Sequence, residues 1–432
     1  MGSHYKKVAF HTFGCKLNYA ETSSLSRDFI ASGYAQVGFQ EQADIYIINS
    51  CSVTENADKK THKRVRQILK RSPNAKIVII GCYAQLQPEK IKQIPGVSLI
   101  VGAEEKFNLI EHIELIKDKD FPLVINSNID KTDTFHPSFS SGDRTRSFLK
   151  VQDGCNYTCS FCTIPLARGK SRSGTIAETI NVAKKIAKNG TKEIVLTGVN
   201  IGDFGIPNGE DFLSLIKELE KIEGIKRYRI SSIEPNLLTN EIIYFIKESK
   251  KFLPHFHIPL QSGSEDVLKQ MRRRYTLETY KDRISKIKSL LPEASIGVDV
   301  IVGFPSETKI QFQETVSFLQ DIDISYLHVF SYSCRENTDA LSILPKVCPQ
   351  EITRRSQFLH KLSDDKKNNF LQQNINKMSN VLIESYEEGF VSGFSSNYIK
   401  VKTKGDSLEV NTIMPLKMIC VNENEMIGQR IN

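Results

Sequence analysis

The chain reads as an α/β protein in three parts: an N-terminal open parallel α/β domain (5–120), a central partial (β/α)6 barrel (147–372) and a small C-terminal all-β barrel (374–432), with a linker at 121–146. Three features predict this. Strand and helix patterns alternate up to residue 120 or so, resume as six repeats from residue 148, and give way to strands alone over the last 55 or so residues.

In the first part VAFHTFG (8–14), DIYIINS (44–50) and KIVIIG (76–81) are short, β-branched, almost continuously apolar runs, as strands buried on both faces are. Helical patterns follow at 20–32, 57–71 and 86–94. Each strand runs directly into a cysteine: Cys15, Cys51 and Cys82. Parallel strands align their carboxyl ends along one sheet edge, where such folds build their sites, so three thiols distant in sequence are expected to meet. Residues 121–146, polar and rich in Ser and Asp, read as the linker. Beyond it the strand candidates are 148–152, 193–199, 227–233, 255–260, 295–303 and 326–332, with amphipathic helices such as 176–188, 211–222, 276–290 and 308–320 between them. Chemistry is expected at the strand carboxyl ends. A polar helix over 350–376 leads to short strands without intervening helices, at 381–389, 397–403, 408–413 and 416–421, which fit a small barrel.

The totals bound the function. At 432 residues, 40% hydrophobic and 25% charged, the chain is ordinary globular material with room for two to four domains. No apolar run approaches the roughly 18–20 residues of a membrane helix, and Met1-Gly2-Ser3-His4 resembles an expression scar rather than a signal, so a cytoplasmic protein without membrane contact is expected. A net charge of +8, locally clustered, favours a polyanionic partner. Nine cysteines, an odd number in a long chain without a signal, argue against a disulfide framework and for metal ligands or reactive thiols.

The sharpest motif is Cys155-Asn156-Tyr157-Thr158-Cys159-Ser160-Phe161-Cys162, a C-x3-C-x2-C run just after the first barrel strand. Such a loop can wrap three thiolates around one corner of a [4Fe–4S] cube and leave one iron open, the mark of a catalytic metal site. Zinc would want a fourth ligand, and no Cys or His stands at suitable spacing. For Cys15, Cys51 and Cys82 the residues alone leave two readings: metal ligands, or small buried hydrophobes at strand ends.

The C-x3-C-x2-C run resembles the radical S-adenosylmethionine superfamily. That resemblance implies that the open iron chelates S-adenosylmethionine, whose reductive cleavage yields a 5′-deoxyadenosyl radical, and that the protein contributes positioning and exclusion of water and oxygen. It also implies cofactor contacts at Gly198, Glu234, Gln261, Asp299 and Gly303, all at strand ends. HTFGCKLNYAET, INSCSVTENADKKT and IIGCYAQ resemble the three cluster-binding segments of the methylthiotransferase family, and the likeness extends over RGKSRS and a TRAM-like C-terminal domain. It implies a second [4Fe–4S] cluster on Cys15, Cys51 and Cys82 that presents sulfur to a substrate radical, with a second S-adenosylmethionine supplying the methyl group. The product is a C–S–CH3 group.

Within the family, GCKLNYAET, CSVTENADKKT and FLKVQDGCNYTCSFCTIPLARG look most like the MtaB branch, which acts on N6-threonylcarbamoyladenosine beside the tRNA anticodon. The isopentenyladenosine branch typically has Gln-Met, and the ribosomal-protein branch Pro-Lys, where this chain has Lys16-Leu17. An anticodon-loop partner suits the basic stretches: 59–71 holds seven Lys/Arg and no acid, Arg272, Arg273 and Arg274 form a run, and Arg168, Lys170 and Arg172 follow the cysteine loop. The C-terminal domain, with six basic and seven acidic residues over 374–432, would contact RNA only through local features such as Lys400, Lys402, Lys404, Phe394 and Tyr398. The family further implies a flavodoxin or ferredoxin as reductant; a monomer is the default.

Two departures stand out. Cys334 and Glu336-Asn337 occupy a segment where the family usually has Pro- and Gly-containing turns, and Ser306 replaces a usual Gly. Arg335 is a candidate to approach the substrate; Cys334 reads as incidental, Cys348 and Cys420 as structural. The reading from a different class is an RNA-binding protein whose clusters serve structure or electron transfer. Substituting Cys159 separates the two: an enzyme loses turnover and keeps tRNA affinity, whereas a binding module loses folding or binding, with both quantities measured on one preparation.

Overall fold

The β-branched runs of the N-terminal part become strands because each can be covered on both faces. The computed structural model describes residues 5–52, 55–116, 122–142 and 145–430, and the start read above as a scar lies outside them. The first domain contains β1 (Lys7–Thr12), α1 (Lys16–Ala31), β2 (Ala35–Gln36), β3 (Ile45–Ser50), α2 (Glu55–Arg71), β4 (Lys76–Gly81), α3 (Cys82–Leu86), α4 (Pro88–Lys92), β5 (Val97–Val101), α5 (Leu109–Glu114) and β6 (Leu123–Ile125). The six strands form one parallel sheet in the order β2-β1-β3-β4-β5-β6. Alternate residues of β3 feed opposite cores: Tyr46 and Ile48 pack with Val65 and Ile68 of α2, Ile45 and Ile47 with Leu25 and Phe29 of α1. The helix expected at 86–94 is two short pieces, since Pro88 cannot continue α3 and instead starts α4.

The segment 121–146 is more than a connector. It supplies β6 to the first sheet and β7 (Ser138–Phe139), antiparallel to β8 (Arg146–Lys150), to the second. The central elements follow: β9 (Gln152–Asp153), α6 (Ile164–Arg168), β10 (Arg172–Ser173), α7 (Ile176–Lys188), β11 (Glu193–Thr197), α8 (Phe212–Glu220), β12 (Arg227–Ile230), α9 (Asn240–Glu248), β13 (His255–His257), α10 (Glu265–Gln270), α11 (Leu277–Leu290), β14 (Ser295–Val302), α12 (Lys309–Asp321), β15 (Tyr326–Ser331) and α13 (Pro349–Gln373). Strands β8, β11 and β12 pair in parallel, as do β13, β14 and β15, and parallel bridges Tyr228↔Phe252 and Ser232↔His257 join the two groups into a six-stranded partial barrel. Capping boxes at Thr175/Glu178 and Thr308/Gln311 fix where α7 and α12 begin.

The last part is a closed five-stranded barrel of β16 (Met378–Glu387), β17 (Phe390–Ser395), β18 (Lys400–Lys404), β19 (Ile413–Asn422) and β20 (Glu425–Arg430). The strand expected at 408–413 is a single 3-10 turn, Ser407–Glu409, capped by Asp406, and β17 and β20 were not anticipated. Their polar and glycine content hides them: FVSGFS and EMIGQR lack clean alternation. This barrel seals the amino-terminal end of the central one. Arg227, the first residue of β12, donates to the main-chain oxygens of Phe394 (3.2 Å) and Ser395 (2.9 Å), and Arg229 donates to that of Ser396 (3.3 Å). Phe394 and Tyr398 stack on one another beneath Arg146, and Arg229 also lies over Tyr398, so these half-buried aromatics are engaged at the interface between the two barrels. Lys400 pairs with Glu425. No described helix is long and apolar enough to cross a membrane.

Helix α1 closes the open flank of the central barrel along β8, where Tyr19 and Ala20 meet Phe148 and Val195. A fully buried charge network locks this contact. Glu21 accepts from Lys106 (2.7 Å), Lys150 (2.9 Å) and Arg168 (3.1 Å), while Asp153 takes Arg168 (2.9 Å), Lys150 (2.7 Å) and Arg172 (3.4 Å). Arg168 and Arg172 are therefore internal, not RNA contacts as their position in RGKSRS suggested. Burial by itself would raise the Glu21 carboxyl, but Arg168, Lys106 and Lys150 hold it far below its ordinary value. A depressed carboxylate stabilises the fold fully above its unfolded pKa and ceases to as pH falls through the folded one. Glu21→Gln is expected to cost about 3–5 kcal/mol at pH 7 in urea unfolding, because it strands buried cations. The deficit should shrink as pH drops below about 4.5, where the unfolded-state glutamate of the parent protonates.

Candidate functional site

Cys155, Cys159 and Cys162 sit on the loop after β9, at the carboxyl end of the first barrel strand. The loop is pinned on all sides. Cys155 N–H donates to Gly169 O (3.1 Å), Ser160 N–H to Met271 O (3.1 Å), and Ala340 N–H to Ser160 O (2.8 Å). Gly154, at φ +68°, would place a Cβ 2.0 Å from Lys170 O, so only glycine lets the loop lie this close to the segment behind it. The sulfurs receive donors: Tyr157 N–H reaches Cys155 Sγ (3.3 Å), Ile164 N–H reaches Cys162 Sγ (3.5 Å), and Arg273 Nη1 reaches Cys159 Sγ (3.1 Å). Donors aimed at sulfur are what an iron–sulfur ligand set needs. Burial pushes the Cys155 thiol up to about 11 and that of Cys162 to about 12, with the neighbouring thiols adding to both. Loading therefore displaces protons from buried thiols.

Cys15, Cys51 and Cys82 follow β1, β3 and β4, which are adjacent strands, so they gather at one sheet edge. Gly14, at φ +98°, brings the Cys15 backbone so near Cys51 that an added Cβ would stand 2.7 Å from Cys51 Cβ. Cys15 is the N-cap residue of α1 and Cys82 the first residue of α3. Burial raises the Cys82 thiol, while Arg168 and Lys106 oppose that rise. The buried network nearby holds Lys106, Lys150, Arg168 and Arg172 against Glu21, Asp153 and, at its rim, Glu104, a positive excess that suits an anionic group at this trio. Asn18 ties the pieces together: its Oδ1 takes Arg168 Nη2 and lies 3.8 Å from Cys15 Sγ, and its Nδ2 donates to Ser50 O, beside Cys51. Among the described residues, His257, Asp299 and His328 bring three ligand atoms within 4.8 Å of one another.

The predicted cofactor residues divide. Gly198 follows β11, where a Cβ would meet Gln152 Oε1 at 2.9 Å; Glu234 pairs with Arg273; Gln261 holds a left-handed φ of 68°; Asp299 accepts from or pairs with His257 Nε2 at 2.8 Å. All four ring the carboxyl-terminal half of the barrel. Gly303 differs: a Cβ there would strike Ile352 of α13 at 2.4 Å, so its bareness serves helix packing. Arg335 is buried and paired with Asp58 of α2 (2.7 Å). Lys16 has no ion-pair partner among the described residues and is exposed at the start of α1.

Of the arginine run expected to face RNA, Arg273 turns inward while Arg272 and Arg274 stay exposed. Arg273 serves Cys159 and Glu234, Arg272 pairs with Asp339 (2.5 Å), and Arg274 lies over Tyr157 at 4.1 Å. Exposed Lys63, Arg66 and Lys70 of α2 keep the character expected of 59–71. Cys334, Cys348 and Cys420 are exposed, which overturns the structural reading of the latter two. Ser306 keeps the left-handed conformation of the glycine it replaces (φ 64°), with its hydroxyl donating to Gln270 Oε1 at 2.7 Å. Asn18, Glu21 and Arg273 were missed as site residues, because only the fold brings them to the thiols.

Residues 149–319 match the Radical SAM superfamily and residues 7–102 match Uncharacterized protein family UPF0004. The chain is 40% identical to the threonylcarbamoyladenosine tRNA methylthiotransferase MtaB of Bacillus subtilis over 423 residues, covering 95% of this chain and 93% of that protein. It is 39% identical to the Aquifex aeolicus MtaB, covering 92% and 97%. With the tRNA-2-methylthio-N(6)-dimethylallyladenosine synthase of Thermodesulfovibrio yellowstonii the identity is 31%, covering 99% of each. In fold the chain resembles the radical S-adenosylmethionine methyltransferase TsrM of Kitasatospora setae, solved with cobalamin and a [4Fe–4S] cluster, at a TM-score of 0.54 and 11% identity over 78% of this chain and 77% of that one. A thiol loop at the mouth of a partial barrel, a second trio on an abutting parallel sheet and near full-length identity above 30% agree: the chain belongs to the radical S-adenosylmethionine methylthiotransferase family, enzymes that use a [4Fe–4S] cluster and S-adenosylmethionine.

Proposed function

We propose that the chain converts N6-threonylcarbamoyladenosine beside the tRNA anticodon to its 2-methylthio derivative, the activity carried in name by its relatives at 39–40% identity. The observation that carries the chemistry is the pair of thiol trios, one on each of two domains, bound to one buried network through Asn18, Glu21 and Arg168. In this reading 5–120 and 147–372 act as the two halves of one site, 121–146 connects them, and 374–432 is the TRAM-like domain.

Cys155, Cys159 and Cys162 hold the [4Fe–4S] cluster that binds S-adenosylmethionine, and Cys15, Cys51 and Cys82 hold a second [4Fe–4S] cluster. When bound, these groups supply a carbon radical able to break an aromatic C–H bond, together with sulfur and a methyl group. Three thiolates per cluster leave one coordination position free for cofactor at one site and sulfur at the other. Arg273 orients Cys159 and holds Glu234 in place at the cofactor side of the barrel. Gly198, Gln261 and Asp299 line the same mouth for cofactor contacts. The Glu21–Arg168 lock fixes the separation of the two trios and keeps water from the seam between them. A flavodoxin or ferredoxin delivers the electron, and the chain works in the cytoplasm as a monomer.

Reconstituted without oxygen, the chain should bind two clusters; Cys15→Ala and Cys159→Ala should each lose about half the iron, by elemental analysis. Given S-adenosylmethionine, sulfide and reductant, it should add a methylthio group to tRNA bearing threonylcarbamoyladenosine, read by mass spectrometry of digested nucleosides. Parallel tubes hold isopentenyladenosine tRNA and the ribosomal protein. A gain only on one of those keeps the chemistry and overturns the substrate.

A further inference from the structure

A cavity of about 780 Å3 opens between α2, the α3–α4 turn and the segment that follows β15. Tyr83, the residue after Cys82, lines one side. Its lining carries more cation than anion: Lys59, Lys63, Arg66, Lys90 and Arg335 against Asp58 and Glu336. Arg66 and Lys63 have no hydrogen-bond or ion-pair partner among the described residues.

Arg335 is the unusual member. Its side chain is 7% exposed, and Nη1 is spent on Asp58 Oδ2 at 2.7 Å. Nε and Nη2 are both buried without any partner, and so is Asp58 Oδ1. A buried guanidinium normally satisfies its donors, because each one left unmade carries a desolvation cost. Nε and Nη2 form one edge of the planar group, the edge that meets both oxygens of a carboxylate in parallel. Beside that fork, Asp58 Oδ1 is an acceptor awaiting a donor.

The threonylcarbamoyl group presents this complement. Its threonine is attached through nitrogen, so the carboxylate is free, and a hydroxyl and N–H groups stand within a few bonds of it. An isopentenyl group is an uncharged hydrocarbon and would leave the fork unmade. We infer that the Arg335 Nε–Nη2 edge, set by Asp58, is the receptor for the substrate's threonyl carboxylate and selects it over uncharged N6 substituents. This deepens the substrate reading above and rests on it. The same donors would also take an RNA phosphate. Burial favours the modified base, since backbone phosphates are met at the exposed rim by residues such as Lys63.

The test uses the full-length reconstituted protein and anticodon stem-loops carrying threonylcarbamoyladenosine, its carboxyl methyl ester, or isopentenyladenosine. Affinity and methylthio product are read separately. Esterification, which removes the charge from the ligand and leaves the protein untouched, should weaken binding by roughly 10- to 100-fold, the range of a charge-assisted pair. In Arg335→Lys, which keeps the charge and loses the fork, the acid-over-ester preference should collapse, while ester affinity stays near the parent's. Equal binding of acid and ester by the parent protein overturns the inference while methylthiolation of either stem-loop upholds the substrate reading. Equal weakening of acid and ester in Arg335→Lys also overturns it, assigning the arginine to phosphate or to the fold. Ester-sensitive binding with methylthio product only on isopentenyladenosine would do the reverse, upholding the receptor and sinking the substrate reading.

Discussion

Everything that distinguishes this molecule from a barrel with a neighbouring α/β domain depends on one buried carboxylate. Glu21 stands one turn and a half into α1, on the helix that Cys15 begins, and meets Lys150 at the end of β8 and Arg168 behind the C-x3-C-x2-C loop. Charges this deep tolerate no slippage, because a shift of an ångström leaves an ion without its counter-ion in a medium that screens little. The seam therefore behaves as a register mark. Apolar packing such as Ala20 on Phe148 gives the seam its adhesion but would accept small sliding.

The same network sets the electrostatic character of the N-terminal site. Four cations against three carboxylates leave a cation in excess, a poor arrangement for an isolated protein interior and an understandable one beside thiolates. Arg168 faces both obligations, held by Glu21 and Asp153 and acting on Cys82 and Cys15. On the barrel side Arg273 plays the corresponding part, divided between Cys159 and Glu234. Each trio thus has a nearby arginine anchored by a carboxylate, in direct contact with sulfur at Cys159 and acting through its field on Cys82 and Cys15.

Much of this was legible in the sequence, and the limits of legibility are physical. The parallel strands announced themselves because burial on both faces demands unbroken β-branched runs, and a cysteine at the end of each of three neighbouring strands can only converge. The C-terminal barrel was harder: β17 and β20 are short, polar on one face and interrupted by Gly393 and Gly428, so their partners and not their own pattern make them strands. Charge runs misled for a related reason. Arg168, Arg172 and Arg273 look solvated in one dimension, and only the fold shows the carboxylates, distant in sequence, that draw them inward. Phe394 and Tyr398, candidates for stacking on bases, stack instead on each other and under arginines of the central barrel.

That last contact has an implication for how such proteins diverge. Arg227 and Arg229 grip the C-terminal barrel through main-chain oxygens of Phe394, Ser395 and Ser396. A joint made through main-chain oxygens is indifferent to the side chains it does not touch, and those it does touch are few, chiefly Phe394, Tyr398 and Glu384. The outward surface of the small barrel can then change sequence without loosening the mount or disturbing the chemistry at the far end of the central barrel.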